Sequence, residues 1–328
     1  MCECTDSGKP RIAILMAVYE PRMSWLREQL ISLNQQDYPN LRLYVRDDGS
    51  QTVAFAAIEA LVRTCITAFP YSIGRNPENL GSNATFERLT AEAEGEYFAY
   101  CDQDDVWLPE KLSVLQEAME RETALLACSD MYIIDANGKR TTNSITKIRR
   151  HHVFRSGDGL APKLLISNFA TGCAMLIRAK SAKAALPFCP DMVHDHYLAL
   201  CAAEAGRVVS LADRLISYRI HGGNQTPVLA GVHDRESYYQ VRIETLIRRL
   251  NWLKKRFSGN AALNGEIADA LTWAEARADN FRGIRGAKRT ILRCRRFGPL
   301  VSIAEIALAG APEPLFRLAL SLARRNIV

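Results

Sequence analysis

The run Tyr97-Phe98-Ala99-Tyr100-Cys101 is apolar and strand-like, and it ends in Asp102, Asp104 and Asp105, three carboxylates within four residues. Carboxylates crowded this closely repel one another unless a cation neutralises them. Mg²⁺ is commonly held by one or two carboxylates while the phosphates of a substrate complete its shell. At the carboxyl end of a strand in an α/β sheet, such a cluster faces the crevice where ligands bind. The competing account is an acidic cap for the helix announced by Pro109-Glu110-Lys111-Leu112. Asp105 suits that purpose, but one cap does not need three aspartates.

Further polar clusters fall where strands end or loops begin. Met16-Ala17-Val18-Tyr19-Glu20-Pro21 closes the first apolar run, and Asp47-Asp48-Gly49-Ser50 closes the second. Asn79-Leu80-Gly81-Ser82-Asn83 precedes a third helix, His194-Asp195 precedes a helix starting near Tyr197, and Tyr218-Arg219-Ile220-His221-Gly222-Gly223-Asn224 follows the last strand.

The elements that must position these groups alternate. Ile12 to Val18 reads as a buried strand, Met23 to Gln36 as a helix and Leu41 to Val45 as a strand. Val53 to Ala68 reads as a helix, Tyr71 to Ile73 as a strand, and Ala84 to Ala93 as a helix ahead of the strand Tyr97 to Cys101. Three β/α units before the acidic cluster predict a mostly parallel, doubly wound sheet with right-handed crossovers. A helix over Glu110 to Arg121 follows, then strands at Leu125 to Ser129 and Met131 to Ile134. The polar stretch from Arg140 to Pro162, with His151-His152, reads as a long solvated loop. Ala174 to Ile177, Val208 to Leu211 and Leu215 to Tyr218 read as strands, with a helix over Tyr197 to Ala205. Beyond Gly231 the pattern turns helical, with an apolar stripe of Tyr239, Ile243, Leu246, Leu250, Leu253 and Phe257 and breaks near Gly259, Gly283, Gly298-Pro299 and Ala311-Pro312.

In this order the clusters resemble the inverting glycosyltransferases of family 2, from about Pro10 to Gly231. The resemblance rests on the first-strand end, Asp47-Asp48-Gly49-Ser50, Asn79-Leu80-Gly81, Asp102-Gln103-Asp104-Asp105 with Trp107, Pro109 and Lys111, Thr171-Gly172-Cys173, His194-Asp195 and Tyr218 to Asn224. Within the family the chain is similar to the rhamnosyltransferase-like branch. It departs by carrying Glu20-Pro21 where the first motif has asparagine and a small residue, and His196-Tyr197 where an aromatic pair stands. The resemblance implies a GT-A fold: a Rossmann-like, mostly parallel mixed sheet flanked by helices, here with a C-terminal helical appendage. It implies Ala17, Tyr19, Asp47, Asp48, Asn79, Gly81, Asp102 and Gln103 around a nucleotide sugar, with Asp47 and Asp48 contacting base and ribose. It further implies a divalent cation, Mg²⁺ or Mn²⁺, held by Asp104 with Asp102 or His221, Asp195 as catalytic base, and Trp107, Gly172 and His194 toward the acceptor. That acceptor is a saccharide or lipid-linked saccharide of surface polysaccharide synthesis, and the donor sugar is rhamnose on a thymidine diphosphate. The chemistry is consistent: a leaving diphosphate gains charge that a metal stabilises, and a sugar hydroxyl needs a base.

Two other readings share some of these residues. Asp102-Gln103-Asp104-Asp105-Val106 fits the pattern of phosphatases that form an aspartyl-phosphate, but there the motif follows the first strand. A non-catalytic nucleotide-sugar-binding protein would keep the nucleotide clusters and dispense with Asp195. An oxidoreductase of the dinucleotide type is set aside, because Tyr19-Glu20-Pro21-Arg22 lacks a glycine-rich turn.

The 328 residues, 48% hydrophobic and 24% charged, suffice for one large domain and an appendage. The expected division is a flexible N-terminus at 1–10, a transferase domain at 11–231 and a basic amphipathic helical region at 232–328. No secretory signal or membrane span is visible, so a cytoplasmic protein is expected. Nine scattered cysteines argue against a disulfide framework, and Cys2 and Cys4 find no second pair at zinc-finger spacing. The net charge of +6 is unevenly placed. Beyond residue 283, Arg285, Lys288, Arg289, Arg293, Arg295, Arg296, Arg317, Arg324 and Arg325 face only Glu305 and Glu313. No nucleic-acid-binding motif is present. Interleaving with Ile291, Leu292, Phe297, Leu300 and Val301 fits amphipathic basic helices on an anionic membrane surface, with the protein peripheral on the inner face of the cell membrane; a solvated helical face with no partner is the other account.

Overall fold

Ile12–Val18 forms β1, buried along nearly its whole length as a strand covered by helices on both faces must be. The computed structural model describes residues 8–149, 152–222 and 229–325, so Cys2, Cys4, His151, Gly223 and Asn224 lie outside the described residues. Within the segment expected to be flexible, the carbonyls of Lys9 and Pro10 accept from Asn40 and from the Tyr38 hydroxyl.

After β1 come α1 (Met23–Asn34), β2 (Leu41–Asp47), α2 (Phe55–Cys65), β3 (Tyr71–Arg75), α3 (Ser82–Glu92) and β4 (Tyr97–Cys101). Next are β5 (Val106–Trp107), α4 (Lys111–Arg121), β6 (Leu126–Ile134), β7 (Arg140–Thr142), β8 (Met175–Arg178), α5 (Ala179–Ala184), α6 (His194–Ala205) and β9 (Val208–Arg219). The remainder is helical: α7 (Arg235–Tyr238), a π-helical turn (Tyr239–Glu244), α8 (Thr245–Arg256), α9 (Ala261–Phe281), α10 (Ala287–Arg293), α11 (Pro299–Leu308) and α12 (Glu313–Arg325).

One mixed sheet has the order β3-β2-β1-β4-β8-β6-β9-β5, with β7 on β6. The half from β3 to β4 is parallel, as the β/α alternation requires. The other half is mixed: β8 runs antiparallel to both β4 and β6, while β9 runs parallel to β6. The tail of β9 pairs with β5, Trp107 opposite Ile216 and Val106 opposite Ser217. That pairing carries Arg219 and His221 back to the loop between β4 and β5.

Several expected boundaries shift for identifiable reasons. The two strands expected at Leu125 to Ile134 are one, because Asp130 interrupts the apolar run without ending it. Asp130 is buried, accepts from the N–H groups of Met131 and Ile145, and lies at a register shift against β9. The exposed Asp213 and Arg214 interrupt β9 in the same way. The stretch after Arg140 is not a plain loop: it adds β7 and a short 3₁₀ turn at Ile145–Lys147. The described cysteines are free.

Two large apolar clusters occupy the two faces of the sheet. One joins Ile14, Leu30, Leu43 and Leu115, from strands and the α1/α2/α4 side. The other joins Leu15, Phe86 and Tyr197 to Leu246, Leu250 and Leu253 of α8 and Ile267 of α9. Each fully buried leucine contributes about 1.5–3 kcal/mol. The first helices of the C-terminal region are therefore part of the same core as the sheet.

Candidate functional site

β4 is buried at every residue, and the chain leaves the sheet at the partly exposed Asp102. Asp105, expected as a helix cap, is not one: Glu110 occupies the cap of α4, and Asp105 is fully buried. One of its oxygens accepts the Arg219 N–H at 2.9 Å. The other has no hydrogen-bond partner, and oxygens of Asp102 and Asp105 lie with the Cys173 sulfur within 4.8 Å of one another. Asp104 stands at the rim, its Oδ2 2.6 Å from His221 Nε2. The His221 ring packs on Trp25 of α1, 4.7 Å between centroids.

Burial, then the charges of Asp104 and Asp195, push the Asp102 carboxyl up to about 7. Burial and the neighbouring Asp104 and Asp102 raise Asp105 as well. Beneath the loop Lys111 is fully buried, donates to the Cys173 carbonyl, and lies 3.0 Å from the Trp107 ring centroid. Burial drives its ammonium down to about 7, so it offsets the acidic loop incompletely. The oxygens of Asp102 and Asp105 and, at the rim, the Asp104 carboxylate with the His221 imidazole are donors of the kind a hard divalent cation takes.

Trp107 itself is 2% exposed, its indole N–H meets no acceptor, and its backbone N–H bonds to Ser32. It packs under the acidic loop against Lys111, with little of its surface open.

Asp195 sits in the first turn of α6, which begins at His194, earlier than expected. Val193 is the cap, so the Asp195 side chain is not spent on helix capping. Its oxygens accept from Asn168 Nδ2 at 3.1 Å, from the His196 N–H, and from the Gly172 N–H at 2.9 Å. Gly172 is required there, since a Cβ would lie 2.9 Å from His194 Nε2 and 3.3 Å from the Asp195 Cβ. The His194 ring is wedged between Phe86 and Tyr100 with its Nε2 buried and unpartnered, and burial lowers its basicity. It shapes the wall beside Asp195.

At the end of β2, Asp47 and Asp48 are buried and have partners. Arg75 lies 3.1 Å from Asp47, and the Ser50 hydroxyl bonds to the same carboxylate at 2.5 Å. Asp48 accepts from Asn76 Nδ2 and from the N–H groups of Leu80 and Gly81, and so folds the Asn79-Leu80-Gly81 turn. Asn79 Oδ1 accepts the same Gly81 N–H. Gly49, at φ +74°, passes so close to Glu78 that a Cβ would lie 2.5 Å from its carbonyl carbon. These aspartates brace the loops after β2 and β3, a scaffold duty beside the ligand contacts expected of them.

Ala17 lies near the end of β1 and Tyr19 just beyond it, and the Gln103 amide pairs with both the N–H and the carbonyl of Tyr19, at 2.8 and 3.0 Å. Gln103 thus ties the first-strand loop to the acidic loop. Glu20, at φ +41°, turns its carboxylate to the N–H groups of Gln51, Thr52 and Val53. Its hydrogen bonds, that from the Thr52 hydroxyl first, hold its carboxyl at about 2.

Residue types gave no warning of the parts played by Arg75 and Glu20. Arg219 and Lys111 were visible only as motif members. Arg219 is 1% exposed and donates to Asp104 O, Asp135 O and Glu28. A lysine on the same helical stripe as Leu115 and Ala118 was the available signal for Lys111.

The family model described as glycosyl transferase family 2 matches residues 14–184. An uncharacterized glycosyltransferase of Nostoc sp. is 24% identical over 253 residues, covering 74% of either chain. One from Haemophilus influenzae is 23% identical over 257 residues, covering 74% of this chain and 75% of that one. Among solved structures, S. aureus TarS 1-349 in complex with UDP-GlcNAc superimposes with a TM-score of 0.58 at 16% identity, over 97% of this chain and 89% of that one. The mannosyltransferase PcManGT from Pyrobaculum calidifontis, in complex with GDP-Man and Mn²⁺, gives 0.56 at 15% identity, over 98% and 81%. At these identities the structural likeness speaks for the fold alone, a mixed α/β sheet curled between helices.

Proposed function

The chain belongs to glycosyl transferase family 2, and from that premise we propose that it transfers a sugar from a nucleotide diphosphate donor to a saccharide or lipid-linked saccharide with inversion at the anomeric carbon. The observation that carries the proposal is that two distant parts of the chain meet at the turn 171–173: Asp195 accepts the Gly172 N–H, and Asp102 and Asp105, at the carboxyl end of β4, lie beside the Cys173 sulfur. Residues 11–231 form the transferase domain in this reading, and 232–328 the basic helical region.

The donor nucleotide lies against Ala17, Tyr19, Asn79 and Gly81, at the loops that Asp47 and Asp48 brace, with Gln103 fixing the Tyr19 backbone. Asp104, Asp102 and His221 would hold Mg²⁺ or Mn²⁺. When bound, that ion would act as a Lewis acid for the charge developing on the leaving diphosphate. Asp195 takes the proton of the acceptor hydroxyl as its oxygen bonds to the anomeric carbon and the bond to the diphosphate oxygen breaks. The N–H of Gly172 and the amide of Asn168 hold the carboxylate in place for that attack. One displacement inverts the configuration. The sugar in this reading is rhamnose on thymidine diphosphate, the product belongs to surface polysaccharide, and the enzyme works at the cytoplasmic face of the cell membrane.

A thermal-shift panel of nucleotide sugars with and without Mn²⁺ tests the donor and the metal together, because a ligand bound only by the native state raises its apparent stability. A Mn²⁺-dependent rise with one donor, largest for the thymidine diphosphate sugar, is expected. No rise with any nucleotide would overturn the reading.

A further inference from the structure

α11 is folded inside out. Its polar residues Ser302 and Glu305 are the buried ones, 0% and 3% exposed, while Leu300 and Ile303 stand 66% and 59% exposed. The reason lies in α9 and α7. Ser302 accepts from the Trp273 indole, Arg277 bonds to both Glu305 oxygens at 2.6 and 2.7 Å, and the Tyr238 hydroxyl adds a third bond to that carboxylate. Asn280 bonds to the Glu305 carbonyl. A buried pair this well satisfied fixes which face of the helix points inward. The apolar face is therefore turned outward by construction.

α12 repeats the arrangement in another form. Phe316 and Leu320 seat it on Val232. Leu315, Leu318 and Leu322, spaced three and four apart, form a second apolar stripe, each at least half exposed. A solvent-facing helix of a protein in water does not ordinarily carry such a stripe.

Charge complementarity identifies what covers it. Arg285, Lys288, Arg289 and Arg293 are exposed on and just before α10, and Leu292 is exposed among them. The acids of the region are already engaged: Glu305 is buried with Arg277, and Glu313 meets Arg317 and Arg235. No described helix is long and apolar enough to cross a membrane. We propose that the outward faces of α11 and α12, with the bases of α10 beside them, form a docking surface for an anionic lipid bilayer, entered to headgroup depth by Leu300, Ile303, Leu315, Leu318 and Leu322. Such a helix lies in the interface with its apolar side chains below the headgroups and its bases among them. The proposal sharpens the membrane part of the proposed function and does not depend on the transfer chemistry, so donor binding by the variants below is expected to be unchanged.

The test is flotation of the full-length chain with vesicles of phosphatidylcholine alone or with about one quarter phosphatidylglycerol. Binding to the anionic vesicles, weakened by salt, is expected, with little to the neutral ones. Leu300→Ser/Ile303→Ser and Leu315→Ser/Leu318→Ser/Leu322→Ser should each weaken it by about tenfold or more. Lys288→Glu/Arg289→Glu should weaken it similarly. Leu318→Trp adds a measurement that needs no disruptive change: the emission it adds to that of the parent should shift to the blue on anionic vesicles. No flotation with either composition, flotation untouched by the serine variants, or an unshifted added emission from the Leu318→Trp protein would each overturn the proposal. So would a dimer in solution that the serine variants dissolve while vesicle binding is absent, which would make this face a contact between copies of the chain.

Discussion

The Gly172 N–H points at Asp195 Oδ2 from 2.9 Å, and the same glycine leaves no room for a side chain between Asp195 and His194. Asp195 is thereby fixed from the backbone rather than by another charge. Gly172→Ala should push the His194 ring or the 171–173 turn aside. We expect a loss of about 1–3 kcal/mol in stability, as for other overpacked sites, and a fall in kcat with donor affinity retained. Urea melts and donor titration check the two halves separately.

Asp195→Asn removes the proton acceptor while leaving the size of the side chain unchanged. If Asp195 is the base, kcat should fall by about 10²–10⁴ with donor binding within a few-fold of the parent. A protein that only binds nucleotide sugars would be indifferent to the change. Product release measured beside calorimetric donor binding separates the two, and undiminished turnover by the Asp195→Asn protein would remove Asp195 from the mechanism.

The parallel half of the fold was legible because each β/α unit carries its own hydrophobic period, and the acidic loop because three carboxylates crowded after a buried β4 repel one another unless a cation joins them. β6 and β9 were less legible. A buried Asp130 and an exposed Asp213-Arg214 look like breaks when the partner strand is unknown, yet across the sheet they form one irregular stretch of pairing. The same limit applies to Asp47 and Asp48. Their burial depends on Arg75 and Asn76, which β3 brings alongside only after the sheet assembles. The outward face of α11 was hidden for a related reason. Its orientation is decided by Arg277 of α9, many residues earlier, and not by the helix's own pattern.

Arg219 joins five structural features: the Asp105 carboxylate through its N–H, the Asp104 and Asp135 carbonyls, Glu28 on α1, and the face of Trp25. Arg219→Met keeps the apolar length and the backbone N–H that Asp105 accepts, and removes the guanidinium with its bonds to the Asp104 and Asp135 carbonyls and to Glu28. Glu28 is half exposed, so the loss comes chiefly from the hydrogen bonds given up at the Asp104 and Asp135 carbonyls, about 1–3 kcal/mol. Arg219→Lys should recover only part of it, since an ammonium cannot reach Asp104, Asp135 and Glu28 together. Chemical denaturation of the three proteins gives the comparison.

His196 supplies the pH dependence. Its ring is buried against the Leu164 carbonyl, with Nε2 2.6 Å from that oxygen. Burial first, and then the Arg249 guanidinium on α8, lower its basicity to about 3, against weaker opposing contributions from the Leu164 and Ser167 backbone. In the unfolded chain the ring titrates near its ordinary value, about 6.5. Above that pH neither state binds the proton and His196 contributes nothing to the slope. Below it the unfolded chain takes up a proton that the folded chain refuses, so stability falls as pH falls, all the way toward 3. One such group accounts for about 2 kcal/mol between pH 7 and pH 5. His194 and His152, also lowered by burial, add in the same direction. His196→Gln can still donate to Leu164 but does not titrate, so its urea midpoint should shift less between pH 7 and pH 5 than that of the parent. An unchanged difference between the two pH values would mean that His196 is already protonated in the folded protein, or that water reaches its ring.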